Sequence, residues 1–338
     1  MYMEYFGLQD YPFRITPDTE YLYMSSAHSR AKAYMEYAIF NREGFVVITG
    51  EIGSGKTTLI KKLLMELDDN IKVAKIFQTQ LDEVEFLQAI LVEFGLNPFS
   101  AKKVELLNML NHFLIESYME GKQVLLIIDD AQNLSKRVLE EVTMLSSVET
   151  QKEKILHVIL VGQPELNQKL ESPDMEQLLQ RVSLRYHVRT LTEEETSEYI
   201  AHRLKVAGID TKLFMDETYS GIYEYSGGVP RLINTICDTA LTCAFADNHK
   251  CVDKNEFDNT IKELQWKKYS DRYDIYDESA QIKNESLYEE SPPVVDSEKQ
   301  QDSRELVRGA YDHISSRALV EICKQLKRIA DALEPDKK

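Results

Sequence analysis

Gly50-Glu51-Ile52-Gly53-Ser54-Gly55-Lys56-Thr57 is the stretch whose reading decides the fold. Its spacing is G-x-x-x-x-G-K-[ST]. The apolar run Phe45-Val46-Val47-Ile48 before it predicts a strand, and Thr58-Leu59-Ile60-Lys61-Lys62-Leu63-Leu64 after it predicts a helix. A glycine-rich turn between a strand and a helix is a phosphate-binding loop. Its backbone curls so that successive N–H groups and the positive end of the helix converge on the same oxygens. Gly53 and Gly55 take the tight-turn positions. Lys56 is placed to reach the β- and γ-phosphates, and the Thr57 hydroxyl to hold Mg²⁺, with Thr58 next along the helix start.

Working outward, the next informative run is Val124-Leu125-Leu126-Ile127-Ile128, closing on Asp129-Asp130-Ala131-Gln132. A buried strand ending in two carboxylates is the second nucleotide signature. Asp129 is predicted to hold Mg²⁺ through water, and Asp130 to orient and polarise the attacking water. A carboxylate at the second position is usually Glu, so Asp130 reaches one methylene less far. Further strands are predicted at Ile71 to Phe77, Leu156 to Val161 and Tyr186 to Val188. Helices are predicted from Ser26 to about Arg42, Val84 to about Phe94, Lys103 to Tyr118 and Gln177 to Gln180, with Gly95 stopping the second.

Gln163, in Gly162-Gln163-Pro164-Glu165-Leu166 at the end of a strand, either touches the γ-phosphate or is an ordinary loop amide. Arg181 and Arg185 either project to a neighbouring subunit's nucleotide as an arginine finger or form surface salt bridges. Upstream, Tyr5-Phe6-Gly7-Leu8, Tyr11-Pro12-Phe13, Pro17-Asp18 and Tyr21-Leu22-Tyr23 form an aromatic segment. Its rings either cover the adenine or plug the edge of the core.

From Leu191 onward the pattern is helical only. Thr192 with Glu195, and Asp253 with Glu256, read as capping boxes. Gly208 closes the first helix, a second spans Asp216 to Tyr225, and Gly227-Gly228-Val229-Pro230-Arg231 opens a third. Arg231, one residue past a proline at a helix start, is aimed back at the phosphates. The predicted organisation is an α/β nucleotide-binding domain over 1–190, a helical lid over 191–266, an acidic linker over 267–303 and a C-terminal helix over 304–338. Residues 269–303 hold ten acidic and three basic residues with Pro292-Pro293, the composition of a disordered linker. Leu319, Ile322, Leu326, Ile329 and Leu333 give the last segment a helical stripe, too short for a coiled coil alone and suited to docking on a partner.

The chain of 338 residues carries a net charge of −17, which disfavours charge-driven nucleic-acid binding over the whole surface. Its apolar runs are strand-sized, and Met1-Tyr2-Met3-Glu4-Tyr5 has neither the basic nor the apolar region of an export signal. Cys237, Cys243, Cys251 and Cys323 have no CxxC spacing, so reduced thiols in a cytoplasmic protein are expected.

Taken together in order and spacing, the phosphate loop, the acidic pair, the Gln163 turn, Arg181 and Arg185, and the Gly227 to Arg231 run resemble the AAA+ ATPases. The opening aromatic segment followed by Glu43-Gly44-Phe45 is similar, more narrowly, to the ExeA/GspA-type secretion ATPases, and within these to the ATPase of PEP-CTERM/exosortase and exopolysaccharide loci. The resemblance covers residues 1 to about 266. It implies a P-loop NTPase fold with a five-stranded parallel sheet, helices on both faces and an all-helical lid. It also implies ATP and Mg²⁺ as ligands and nucleotide-driven assembly into homo-oligomeric rings or filaments. It gives Gln163 and Arg231 the two sensor roles and Arg181 or Arg185 the finger. The transmembrane and peptidoglycan-binding regions of the longer ExeA members are not expected here.

The function expected is a Mg²⁺-dependent ATPase serving an envelope secretion or polysaccharide-export system. DNA-associated transposition ATPases of the TnsC/TniB type share the core, and that alternative needs a basic stripe. Its candidates, Lys61-Lys62, Lys102-Lys103 and Arg181 to Arg189, are scattered. A nucleotide-gated scaffold with slow hydrolysis is the third reading, which the short Asp130 keeps open.

Overall fold

The computed structural model describes residues 2–273 apart from 41–43, 99–101, 147 and 149–153. The elements in chain order are α1 (Tyr2–Phe6), α2 (Ser26–Phe40), β1 (Phe45–Gly50), α3 (Lys56–Glu66), β2 (Ile71–Ile76), α4 (Glu83–Glu93), α5 (Lys103–Met119), β3 (Gln123–Ile128) and α6 (Lys136–Leu145). There follow β4 (Leu156–Gly162), α7 (Glu165–Leu170), α8 (Glu176–Leu179), β5 (Leu184–Val188), α9 (Glu193–Val206), α10 (Asp216–Ser226), α11 (Pro230–Ala246), α12 (Lys254–Leu264) and α13 (Tyr269–Tyr273).

The five strands form one sheet in the order β2-β3-β4-β1-β5, and every pairing is parallel. β1 and β4 are buried along their whole length, as the unbroken apolar runs require of strands covered on both faces. Alternation along the strands then sorts the side chains. Phe45, Val47, Leu126, Ile128, Val158 and Leu160 pack against α4, α5 and α6. Val46, Ile48, Leu125, Ile127, Ile159 and Val161 pack against α2 and α3. The predicted five-stranded parallel α/β fold with helices on both faces is therefore the fold observed. β1 and β3 are not neighbours: β4 lies between them, and all three release their following loops at the same sheet edge. Open parallel sheets bind ligands at such an edge.

The helices after Leu191 form their own apolar cluster, and the aromatic segment belongs to it. Tyr2, Phe6, Leu8, Phe13 and Tyr21 pack with Ile200, Phe214, Ile233, Ile236 and Leu241. Phe13 meets Phe214 edge-on at 5.9 Å. The rings thus plug a core, but the helical one rather than the edge of the sheet.

Local differences from the sequence expectations have physical reasons. The helix α6 is not anticipated above, though Ser135 caps it and Val138, Leu139, Val142 and Leu145 line its buried stripe. The capping box predicted at Asp253 is half formed. Asp253 accepts from the Glu256 N–H, while the Glu256 carboxylate turns to His249, 2.6 Å away. Tyr269–Tyr273, at the head of the acidic segment, form a short helix, with Arg272 stacked on Trp266. Residues 274–303 of the predicted linker and the predicted helix over 304–338 lie outside the described residues.

Candidate functional site

The turn between β1 and α3 has the backbone that its glycines allow. Gly53 and Gly55 lie at φ 83° and 92°, a region costly for residues with a Cβ. Gly55 occupies the N-cap of α3 and no side chain caps that helix, so its first N–H groups face the cleft without a side-chain partner. Thr57 Oγ1 donates to Asp129 Oδ2 across 2.8 Å, joining the turn to the tip of β3. The second Asp129 oxygen accepts from the Asp130 N–H at 3.0 Å. Lys56, 8% exposed, donates to the Gly50 and Glu51 carbonyls at 2.7 and 2.8 Å. An ammonium carries three protons, so one donor remains.

Burial dominates the electrostatics. It pushes the Lys56 ammonium below its usual range against the pull of Asp129 and Asp130. It pushes the Asp129 carboxyl above its usual range, against the Thr57 hydrogen bond. Desolvated charges of both signs side by side suit a ligand that brings both, an anionic phosphate chain and a hard cation. The oxygens of Thr57 and Asp129 are the donor type Mg²⁺ prefers. Ser54 Oγ is buried with no hydrogen-bond partner in the protein, a further polar atom in the turn. The residues present fit a Mg²⁺-nucleotide.

Asp130 is exposed and left-handed at φ 52°. Gln132 joins it to the next predicted residue: its Nε2 donates to Asp130 Oδ1 at 3.2 Å, and its Oε1 accepts from the Gln163 N–H at 3.0 Å. Arg231, at the start of α11, donates its N–H to Gly53 O at 3.2 Å, so the helical cluster touches the turn directly. A methyl group at Gly53 would meet Arg231 Cβ at 2.5 Å.

One cleft gathers Ile52, Gly53, Gly55, Lys56, Thr57, Thr58, Asp129, Asp130, Gln163 and Arg231. Its other wall is the loop 14–18 with Tyr21, Leu22 and Tyr23, backed by Tyr199, Arg203 and Asn234. Most rings of the aromatic segment fill the helical core, and its last residues line the cleft. Arg181 and Arg185 do not line this cleft. Arg185 donates to Asn167 and Glu171, both at 3.1 Å.

Sequence reasoning missed Gln132, His28 and Arg203. Gln132 carried a signal, two residues beyond the acidic pair. Arg203 holds the Tyr199 hydroxyl one helical turn away and the Pro12 carbonyl 191 residues away in sequence, a contact that no local pattern discloses.

Comparison with known proteins agrees with this geometry. The AAA domain family model matches residues 40–170. The general secretion pathway protein A of Aeromonas hydrophila is 41% identical over 254 residues, which is 75% of this chain and 46% of that protein. The chain thus spans about half the length of that relative. Among solved structures, CDC6P from Pyrobaculum aerophilum has a TM-score of 0.58 at 16% identity, over 77% of this chain and 70% of its own. The Aeropyrum pernix ORC2 protein has a TM-score of 0.55 at 16% identity, over 72% and 68%. These two likenesses speak to the fold, and the first relative to the narrower family. The family model and the relative agree: the chain belongs to the AAA+ ATPases of the ExeA/GspA type.

Proposed function

We propose that the chain is a Mg²⁺-dependent ATPase that hydrolyses ATP to ADP and phosphate in this cleft. The cycle would drive homo-oligomeric assembly in support of envelope secretion, in particular export linked to exopolysaccharide or PEP-CTERM proteins. One observation carries the reading: buried Lys56, the Thr57–Asp129 pair and an uncapped helix start converge at one sheet edge. The relative's name, general secretion pathway protein A, supports the secretion setting. The ORC2 relative in the solved structures carries ADPNP and ADP, which supports a nucleotide on this fold.

In the proposed mechanism the N–H groups of Gly53 to Thr58 and the remaining Lys56 donor hold the phosphate chain. Thr57 and Asp129 hold Mg²⁺, which when bound neutralises charge on the phosphate oxygens. Asp130, steadied by Gln132, orients a water and accepts its proton as the water attacks the terminal phosphorus. The bond to the bridging oxygen breaks and its electron pair leaves with ADP. Gln163 and Arg231 bear on the terminal phosphate from β4 and α11. Arg181 is the preferred finger toward a neighbouring subunit, because Arg185 is engaged by Glu171 within its own chain. We place the protein at the inner face of the envelope through a partner protein, with 304–338 as the docking element. Among the described residues no helix is long and apolar enough to cross a membrane.

A DNA-associated role is the weaker reading. Lys62, Lys103 and Arg185, candidates for a basic stripe, pair with Glu66, Glu141 and Glu171. Phosphate release from Mg²⁺-ATP tests the proposal. The unaltered chain turns over and Lys56→Ala does not; equal rates would make the reading wrong.

A further inference from the structure

His28 has no part in the mechanism above, yet it lies buried at 2% exposure against the phosphate loop. Its Nε2 is 2.8 Å from the Ser54 carbonyl and its Nδ1 is 2.7 Å from Ser25 Oγ. A carbonyl only accepts, so Nε2 carries the proton, and Nδ1 accepts from the Ser25 hydroxyl. The same Ser25 oxygen accepts from the His28 backbone N–H at 3.3 Å, which holds the ring from both ends. Burial favours this neutral form of the imidazole.

The carbonyl it grips belongs to the peptide between Ser54 and Gly55. That peptide turns about ψ of Ser54 and φ of Gly55, and Gly55 is left-handed at φ 92°. Glycine resists rotation of a peptide plane less than any other residue, so this plane needs an outside contact to hold it. A trans peptide points its C=O and N–H in opposite directions. Fixing the Ser54 carbonyl toward α2 therefore fixes the Gly55 N–H toward the cleft. The imidazole also packs close: a Cβ on Gly55 would meet His28 Nε2 at 3.0 Å.

We infer that His28 is a positioning residue for phosphate binding, locking the Ser54–Gly55 peptide in the orientation that presents the Gly55 N–H to the ligand. The inference rests on the nucleotide reading of this cleft. The hydrogen bond from the histidine also reaches past the loop. Ser26, beside Ser25, donates through both its N–H and its hydroxyl to Glu195 Oε1, at 3.1 and 3.0 Å. Glu195 completes the capping box that opens α9. The first turn of α2 thus links the phosphate loop to the helix carrying Tyr199 and Arg203.

The test compares His28→Gln with His28→Asn in the full chain, using ATP binding in the presence of Mg²⁺, steady-state kinetics and thermal melting. Glutamine places an N–H where Nε2 stood; asparagine stops at the Nδ1 position and leaves Ser54 ungripped. Loss of one charge-assisted donor weakens binding roughly 10- to 100-fold. We expect that loss in KM and affinity for His28→Asn, with kcat less affected, and near-normal binding for His28→Gln at a matched melting temperature. Ser25→Ala, which loosens the ring while keeping it, is expected to weaken binding by several-fold and serves if the asparagine variant does not fold. If the unaltered chain binds ATP, Lys56→Ala abolishes it, and His28→Asn and Ser25→Ala both bind like the unaltered chain, the role of His28 is overturned while the nucleotide site stands. If the unaltered chain binds no ATP, the nucleotide reading fails and this inference with it.

Discussion

Asp129 shows how individual residues are tuned for the proposed chemistry. Its carboxylate is 3% exposed and satisfied by Thr57 and Asp130, and burial makes its charge unwelcome without a cation. Asp129→Asn removes that charge, keeps an acceptor for Thr57 and should leave the melting temperature within a few degrees. Turnover of Mg²⁺-ATP should fall by about 10² to 10³, as when one preorganised electrostatic group is removed. A melting loss with unchanged turnover would assign Asp129 a structural role only. Asp130 raises the complementary question of reach. Asp130→Glu is expected to raise kcat about tenfold, measured as phosphate release at saturating Mg²⁺-ATP. An unchanged rate would show that the length of the carboxylate does not limit the reaction.

At the scale of elements, the joint between sheet and helices depends on Gly228. Leu191 donates its N–H to Gly228 O at 2.9 Å, and a Cβ on Gly228 would lie 1.9 Å from the Leu191 carbonyl oxygen. Gly228→Ala should therefore destabilise the chain by at least about 2 kcal/mol, because backbone has to move. Gly95 has a similar φ of +82° but nothing within 4 Å, so Gly95→Ala should cost only about 1 kcal/mol, the conformational part alone. Chemical denaturation of the pair measures the difference, and equal losses would contradict it.

Elements are also where the limits of sequence reading show. β1, β3 and β4 were legible because strands covered on both faces are continuous apolar runs. α6 carried its cap and stripe in plain view but is only ten residues long, within the range where short apolar patterns are ambiguous. The glycine turn between β1 and α3, and its meeting with Asp129 at the tip of β3, were legible from local spacing. His28 and the contact of Arg203 with Pro12 were not, since their partners are distant in the chain and joined only by tertiary packing. Glu256 shows the converse: a local rule predicted its partner, and a nearby imidazole at 2.6 Å took its place.

Over the whole molecule, imidazoles kept neutral by partial or full burial make stability depend on pH. His187, near the end of β5, is hydrogen-bonded through Nδ1 to the Thr49 hydroxyl, which accepts from Asn167. Burial and then Lys56 and Arg189 push its pKa down to about 4 from 6.5. The unfolded chain therefore binds a proton that the folded one refuses. The contribution of His187 is complete above pH 6.5 and is lost as pH falls toward about 4; His28, shifted in the same direction, acts with the same sign. Asp129 and Glu51, which burial pushes upward, act with the opposite sign over the carboxylate range. Substituting His187→Asn keeps a hydrogen-bonding group beside Thr49 and removes the titration, so melting temperatures of the two proteins should converge as pH falls from 7 to 5. Parallel curves would show that His187 does not titrate with unfolding.

The central claim is that a nucleotide and its metal lie between the turn before α3 and the tip of β3. A crystal structure grown with Mg²⁺ and a non-hydrolysable ATP analogue tests it most directly. The account predicts phosphate density over the first turn of α3, Lys56 Nζ on a phosphate oxygen, and a metal beside Thr57 and Asp129. Well-ordered density for the analogue elsewhere, with no phosphate oxygen on Lys56 Nζ and no metal beside Thr57 and Asp129, would contradict it.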